Sequence, residues 1–216
     1  MSRRTRLSRR ALLPAPLWKA DQQVGRRAYR ASTSARVDRA LLGLSSAAGH
    51  GMFWGGVVAA VALTGSRGRR AALRGVLTLG VSAALTNLGA KSVIRAPRPR
   101  LRGLRHRHLN RTPRSPSFPS GHTATAAALA TGIWVVSPRR GIPAAALAGA
   151  VGYSRLHVGA HWFSDIVTGS FVGIAIGLVG RTLIPPAKPR PTALEDSGRK
   201  RGRGRGRNAG KGDPSA

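Results

Sequence analysis

From Ala40 to Leu194 this chain contains a single carboxylate, Asp165. A water-exposed surface of that length normally carries many Asp and Glu, since about 25% of the residues in an ordinary soluble domain are charged. Here the stretch breaks into apolar segments separated by basic ones. Met52–Thr64, Ala71–Ala90, Gly121–Val136, Ile142–Tyr153 and Trp162–Ile184 carry almost no charge. In hydrocarbon the backbone must satisfy its own hydrogen bonds, so such segments become helices. The expected fold is all-α, an integral-membrane helical bundle of five to six transmembrane helices. The sixth depends on Ala40–Ala48, which follows Val37-Asp38-Arg39 and reads as a separate amphipathic helix. Arg74 is the interruption in the second span and can snorkel from its end. Several spans fall short of the ~20 residues a bilayer asks for. They are rich in Gly and Ala, which lets helices approach closely and predicts a compact bundle.

The flanks differ in kind. Over the whole chain 37 Lys and Arg oppose 6 Asp and Glu, a formal net charge of +31. Much of that charge lies outside the spans. Residues 1–39 read as a basic, poorly ordered N-terminal arm. Ser8-Arg9-Arg10-Ala11-Leu12-Leu13 faintly resembles a twin-arginine export signal, but Pro14, Pro16, Lys19 and Asp21 stop an apolar region from developing, and a cytosolic or surface-bound arm is favoured. Residues 40–184 form the membrane-embedded domain. From Pro185 the chain is Pro-rich and then Arg-Gly repetitive, so residues 185–216 read as a disordered tail. There is no cysteine, which excludes a disulfide framework, a thiolate nucleophile and a Cys-ligated metal.

Three short stretches carry chemistry. Lys91 ends the second span and Arg98-Pro99 follows in a basic, Pro-rich loop; alone, these are ordinary positive flanks of a membrane helix. Pro119-Ser120-Gly121-His122 opens the third span. A helix start offers unpaired N–H groups and partial positive charge to an anion, and Gly121 lets the backbone approach closely. Ser120 as a simple N-cap with an interfacial His122 explains the same residues. Ser154-Arg155 is followed by His161 and then Asp165. Four residues apart on a helix, His161 and Asp165 share a face. A carboxylate on one ring nitrogen fixes the tautomer and leaves the other nitrogen free to attack. His157, His161 and Asp165 repeat at intervals of four and also suit a metal face. Gly159 argues against one helix through both histidines, and no further acid completes a site, so no metal is expected.

Together these stretches resemble the type 2 phosphatidic acid phosphatase family, which shares its core with vanadium haloperoxidases. The pattern Lys-x6-Arg-Pro, Pro-Ser-Gly-His, Ser-Arg-x5-His-x3-Asp is met without departure by Lys91 to Pro99, Pro119 to His122 and Ser154 to Asp165. The resemblance implies that Lys91, Arg98 and Arg155 hold phosphate oxygens, with the Ser120 side chain and Gly121 N–H adding hydrogen bonds. It implies that His161 attacks phosphorus to give a phosphohistidine, that Asp165 orients His161, and that His122 protonates the departing oxygen. No cofactor is implied, because the cations supply the charge stabilisation.

The expected function is a metal-independent lipid phosphatase acting on a lipid phosphate or diphosphate, such as a polyprenyl (undecaprenyl) diphosphate or phosphatidic acid. The expected partners are that lipid and the bilayer, with no specific nucleic acid. The expected location is the cell membrane, multi-pass, with the active site on the extracytoplasmic side. One rival is a vanadate-dependent oxidase using the same pocket; the spans and the short chain count against it. Another is a polyanion-binding membrane protein, suggested by the Arg-Gly tail, which would bind without specificity.

Overall fold

The computed structural model describes residues 13–31, 34–90, 94, 96–99 and 115–183. They form seven helices and no strand among the described residues. These are α1 Ala15–Arg30, α2 Ala35–Ala47, α3 Gly51–Ala62, α4 Ser66–Ala84, α5 Gly121–Val136, α6 Pro138–His157 and α7 Phe163–Leu183. α4 runs on as a π-helical segment, Leu85–Ala90.

The central helix is α5, against which α4, α6 and α7 all pack. Being enclosed, it has room only for small residues: Ala124, Ala126, Ala127, Ala128, Ala130 and Gly132 are buried along it, with Leu129 and Ile133 as its large core side chains. Its neighbours approach through glycine. On α7, Gly169, Gly173 and Gly177 recur every fourth residue and face α5. A Cβ at Gly169 would stand 2.6 Å from the Ser120 carbonyl oxygen, one at Gly173 would collide with the Ala124 carbonyl, and one at Gly177 would stand 2.5 Å from Thr131 Cβ. Gly132 meets α4 in the same way, 3.1 Å from Gly75 Cα. This is the close backbone contact by which membrane helices associate.

Large apolar side chains point outwards. Leu63, Leu73, Leu77, Val81, Leu85, Leu88, Phe171, Leu178 and Val179 are exposed. Small residues inside with large apolar ones outside suit a hydrocarbon solvent and would be untenable in water. Ser66–Gly89 and Phe163–Thr182 are long and apolar enough to cross a bilayer, and Gly51–Ala62 is a shorter apolar helix.

At one end of the bundle Arg140 Nε donates to Thr64 Oγ1 at 2.6 Å, and Arg67 Nε to the Val136 carbonyl at 3.2 Å. These bonds tie the α3–α4 turn to the α5–α6 turn. At the other end Ser120 N–H donates to the Asp165 carbonyl at 2.9 Å, tying the start of α5 to the start of α7. Helices α3 to α7 run between these two ends, matching the five apolar spans.

The N-terminal arm departs from the expectation of poor order. Residues 15–30 are helical, and Asp21, Gly25 and Tyr29, spaced by four, form the buried face of α1. Ser164 N–H and Oγ–H donate to the two carboxylate oxygens of Asp21 at 2.7 and 2.9 Å. Trp18 stacks edge-on against Trp162 with ring centroids 5.7 Å apart. The apolar residues Leu17, Trp18, Ala20, Val24, Ala28 and Tyr29 share one half of this helix, opposite Lys19, Arg26, Arg27 and Arg30, a pattern that the basic composition of the arm masked. Both α1 and α2 contact the Ser120–Asp165 end of the bundle, so the stretch through Ala48 does not supply a sixth passage.

Candidate active site

The third motif is shaped by how α6 stops. Gly159 has φ 66°, the left-handed conformation that suits glycine. Gly159 N–H donates to the Leu156 carbonyl at 2.9 Å and Ala160 N–H to the Arg155 carbonyl at 3.0 Å. This pair of bonds is a Schellman C-cap. His161 N–H reaches the same Arg155 carbonyl at 3.3 Å, so the cap fixes the six-residue interval between Arg155 and His161. The chain then starts α7. Asp165, in its first turn, accepts the Trp162 N–H on Oδ2 at 2.9 Å, as an acidic residue at the third helical position does in a capping box.

His161 is buried, and its Nδ1 lies 3.4 Å from Asp165 Oδ2, an ion-pair distance long for a hydrogen bond. His161 precedes α7, so the pair meets across the helix start and not along one helix face. Its other ring nitrogen, Nε2, lies 3.2 Å from Arg98 Nη1. Guanidinium can only donate, so this contact makes Nε2 the acceptor and places the ring proton on Nδ1, towards Asp165. Arg98 is held by the Ala160 carbonyl at 2.9 Å, the Ser115 carbonyl at 3.0 Å and Ser115 Oγ at 3.2 Å. Burial lowers the Arg98 pKa while Asp165 opposes the shift. Burial also pushes the His161 pKa down to about 4; Asp165 opposes this, and Arg98 and Arg155 reinforce it. The imidazole is therefore neutral at pH 7 with a lone pair on Nε2. A proton NMR titration of His161, assigned by its loss in His161→Ala, should give a midpoint below pH 5; a midpoint at or above the ordinary value of about 6.5 would contradict this environment.

Arg155 is buried, 2% exposed. Its Nη1 donates to the Ser45 carbonyl at 2.9 Å and to Ser45 Oγ at 2.7 Å. Ser120 is the N-cap of α5: its Oγ accepts the Thr123 N–H at 3.4 Å and pairs with Thr123 Oγ1 at 3.0 Å. His122 is half-buried in the first turn of α5, beside the α2–α3 turn; a Cβ at Gly49 would lie 3.5 Å from its Nε2. His157 turns away from His161. Its Nε2 meets Asp38 Oδ1 at 2.8 Å, so the suggested His157-His161-Asp165 metal face is not assembled. Lys91 lies outside the described residues.

The structure thus gathers Arg98, His161 and Asp165 in contact, with Arg155 and Ser120 joined to them through backbone hydrogen bonds and Gly121 next to Ser120 in the chain. Sequence reasoning missed Asp21, Asp38 and Ser45. Scarcity was the available signal for the two acids: Asp21, Asp38 and Asp165 precede the tail, and they are 5%, 9% and 0% exposed.

Fold and site define a membrane-embedded, all-helical protein with a cationic, histidine-bearing cluster at one end of its bundle. The chain matches the PAP2 superfamily over residues 71–189 and belongs to that family. A lipid A 1-phosphatase from Porphyromonas gingivalis is 41% identical over 68 residues, 30% of this chain; the chain spans 15% of that relative's length. A transmembrane PAP2-type phosphatidylglycerolphosphate phosphatase from Bacillus subtilis shares the fold with a TM-score of 0.61 and 20% identity, over 80% of this chain and 88% of the other. LpxE of Aquifex aeolicus does so with a TM-score of 0.60 and 19% identity, over 74% and 94%.

Proposed function

We propose that this protein is a metal-independent phosphatase that hydrolyses a lipid phosphate or diphosphate through a phosphohistidine. The observation that carries the reading is the placement of His161, with Nε2 against Arg98 Nη1 and Nδ1 towards Asp165, which leaves the lone pair on Nε2. A substrate phosphate would draw the Arg98 guanidinium onto its oxygens, with Arg155, Lys91 and the first N–H groups of α5 completing the cradle. Nε2 then forms a bond to phosphorus as the bond from phosphorus to the lipid oxygen breaks, and His122 gives that oxygen its proton. Water next attacks the phosphohistidine, and phosphate leaves as dihydrogen phosphate, carrying both of the water's protons, as Nε2 regains its lone pair; His122 recovers its proton from solvent. Fixed cations aimed at the charge that gathers on the phosphoryl oxygens supply the stabilisation such transfers need.

A lipid leaving group is supported by a groove of about 490 Å³ between α5, α6 and α7, lined by Thr123, Ala127, Trp134, Gly152, Ile166 and Leu178 among others. It begins one turn from Ser120 and Asp165 and is nearly all apolar, as a hydrocarbon chain requires. Polyprenyl diphosphates, phosphatidic acid and related phospholipid phosphates all carry such a chain, and phosphate release from a panel of them by the detergent-purified protein identifies the substrate.

Activity is expected to survive EDTA and to be inhibited by vanadate, which resembles phosphate at the trigonal-bipyramidal stage. Asp165 is occupied by the Trp162 N–H and faces cations, a poor setting for a divalent ion. Loss of activity in EDTA with recovery on zinc or magnesium would reject the mechanism.

We further propose that the site faces the extracytoplasmic side of the cell membrane. The opposite end bears Arg67, Arg69, Arg70, Arg139 and Arg140 and leads to the basic tail, which the positive-inside rule assigns to the cytoplasm. The basic residues of α1 sit at the catalytic end and pull the other way, so labelling decides. A Gly103→Cys variant should react with an impermeant thiol reagent in intact cells; reaction only after lysis would reverse the orientation.

A further inference from the structure

Helix α2 lies outside the stretch matched to the family, residues 71–189, and none of its residues belongs to a motif. Yet its two buried residues are both polar, Asp38 and Ser45. They are seven apart, two turns along one face. A surface helix held by hydrophobic packing would bury its leucines there; Leu41, Leu42 and Leu44 are only half-buried. Both buried residues bond to the end of α6: Asp38 to His157 at 2.8 Å, Ser45 to Arg155 at 2.7 and 2.9 Å.

The Ser45 contacts have a particular geometry. Its hydroxyl and its carbonyl both accept from the same nitrogen of Arg155, Nη1. Guanidinium is a rigid planar fork, so fixing one corner orients the rest. The Nε of Arg155 is buried and has no hydrogen-bond partner among the described residues. An unsatisfied buried donor on a cation is costly, and it awaits an acceptor. The edge of the guanidinium bearing Nε is the edge that can take two oxygens of a phosphate side by side.

We propose that Ser45 is the positioning residue for Arg155, and that α2 is held at the catalytic end to turn the Nε edge of this arginine towards the substrate phosphate. The inference rests on the phosphatase reading. It assigns part of the anion site to a segment with no motif, and explains why a helix whose leucines are only half-buried buries a serine.

The test uses the full-length protein in detergent, with Ser45→Ala, Ser45→Cys and Arg155→Ala beside the wild type. Turnover of p-nitrophenyl phosphate, the vanadate inhibition constant and vanadate-induced thermal stabilisation are read for each. Cysteine has the shape of serine with a somewhat larger atom at its tip, leaves no cavity as alanine does, and hydrogen-bonds weakly, so it separates a packing void from positioning. Ser45→Ala and Ser45→Cys should both weaken vanadate binding and lower kcat/KM about tenfold, as loss of one hydrogen bond to a charged group implies, while Ser45→Cys melts close to wild type. Vanadate inhibition and stabilisation within twofold of wild type in Ser45→Cys would overturn the proposal, even if Ser45→Ala were unstable. Arg155→Ala keeps the two failures apart: if it binds vanadate and turns over like wild type, the phosphate role of Arg155 falls, and the proposal with it. If it is inactive while Ser45→Cys is normal, only the positioning role falls.

Discussion

His161→Ala is expected to be inactive on every phosphate ester, whereas His122→Ala should lose activity only where the leaving group is basic. In the proposed mechanism His161 supplies the nitrogen that bonds to phosphorus, so no substrate can rescue its loss. His122 is assigned as general acid from the start of α5. Its proton matters to a lipid alkoxide and hardly at all to a nitrophenolate. General acid assistance is worth about 10²–10⁴-fold, so His122→Ala should fall by that order on an alkyl lipid phosphate and keep much of its activity on p-nitrophenyl phosphate. Equal losses on the two substrates would show that His122 binds phosphate and does not supply a proton. Substantial activity of His161→Ala on either would remove the nucleophile. Membrane insertion and melting of each variant, measured beforehand, exclude loss through misfolding.

The second large effect belongs to the fold. Gly173→Leu should prevent the bundle from closing. Even the first carbon of a side chain at this position collides with the Ala124 carbonyl and comes within 2.9 Å of Ala127 Cβ and Ala128 N. Backbone on a central helix cannot yield as a flexible side chain can, so α7 would have to withdraw from α5 along its length. That movement would break the bond from Ser120 to Asp165 and carry Asp165 away from the anion site. Overpacking typically costs about 1–3 kcal/mol; Gly173→Ala should fall in that range, and Gly173→Leu should fail to accumulate as a folded protein. Gly80→Leu on α4 is the control, since a Cβ there meets nothing within 4 Å, and it should melt like wild type. Wild-type melting of Gly173→Leu would mean that α5 and α7 are not in this register.

Charge and apolar runs were legible in the sequence because bilayer and water select opposite compositions. Gly121–Val136 was read from its lack of charge and is α5 with the same limits. The break at Gly159 was legible because left-handed backbone favours glycine, and the Schellman cap it makes gives the physical reason for the spacing of Arg155 and His161. The structure of α1 was not legible. Leu17, Trp18, Ala20, Val24, Ala28 and Tyr29 do share one half of the helix, but the high count of arginines in the arm outweighed that stripe, and the carboxylate of Asp21 on the Ser164 N–H leaves no local pattern. Ser45 was hidden for a related reason: its two acceptors matter only because α2 crosses the end of α6, and a contact between residues 110 positions apart leaves no local pattern. Ser120 shows the reverse. Capping and anion binding both explain a serine before a helix, and the structure displays the cap, with phosphate contact as the added proposal.

The central claim is that phosphorus passes through a bond to His161. The steric course at phosphorus tests it most directly, using an alkyl phosphorothioate made chiral with oxygen isotopes and hydrolysed in isotopically labelled water. Two in-line displacements, first by Nε2 of His161 and then by water, predict overall retention of configuration; inversion would mean a single attack by water and would contradict the phosphohistidine mechanism.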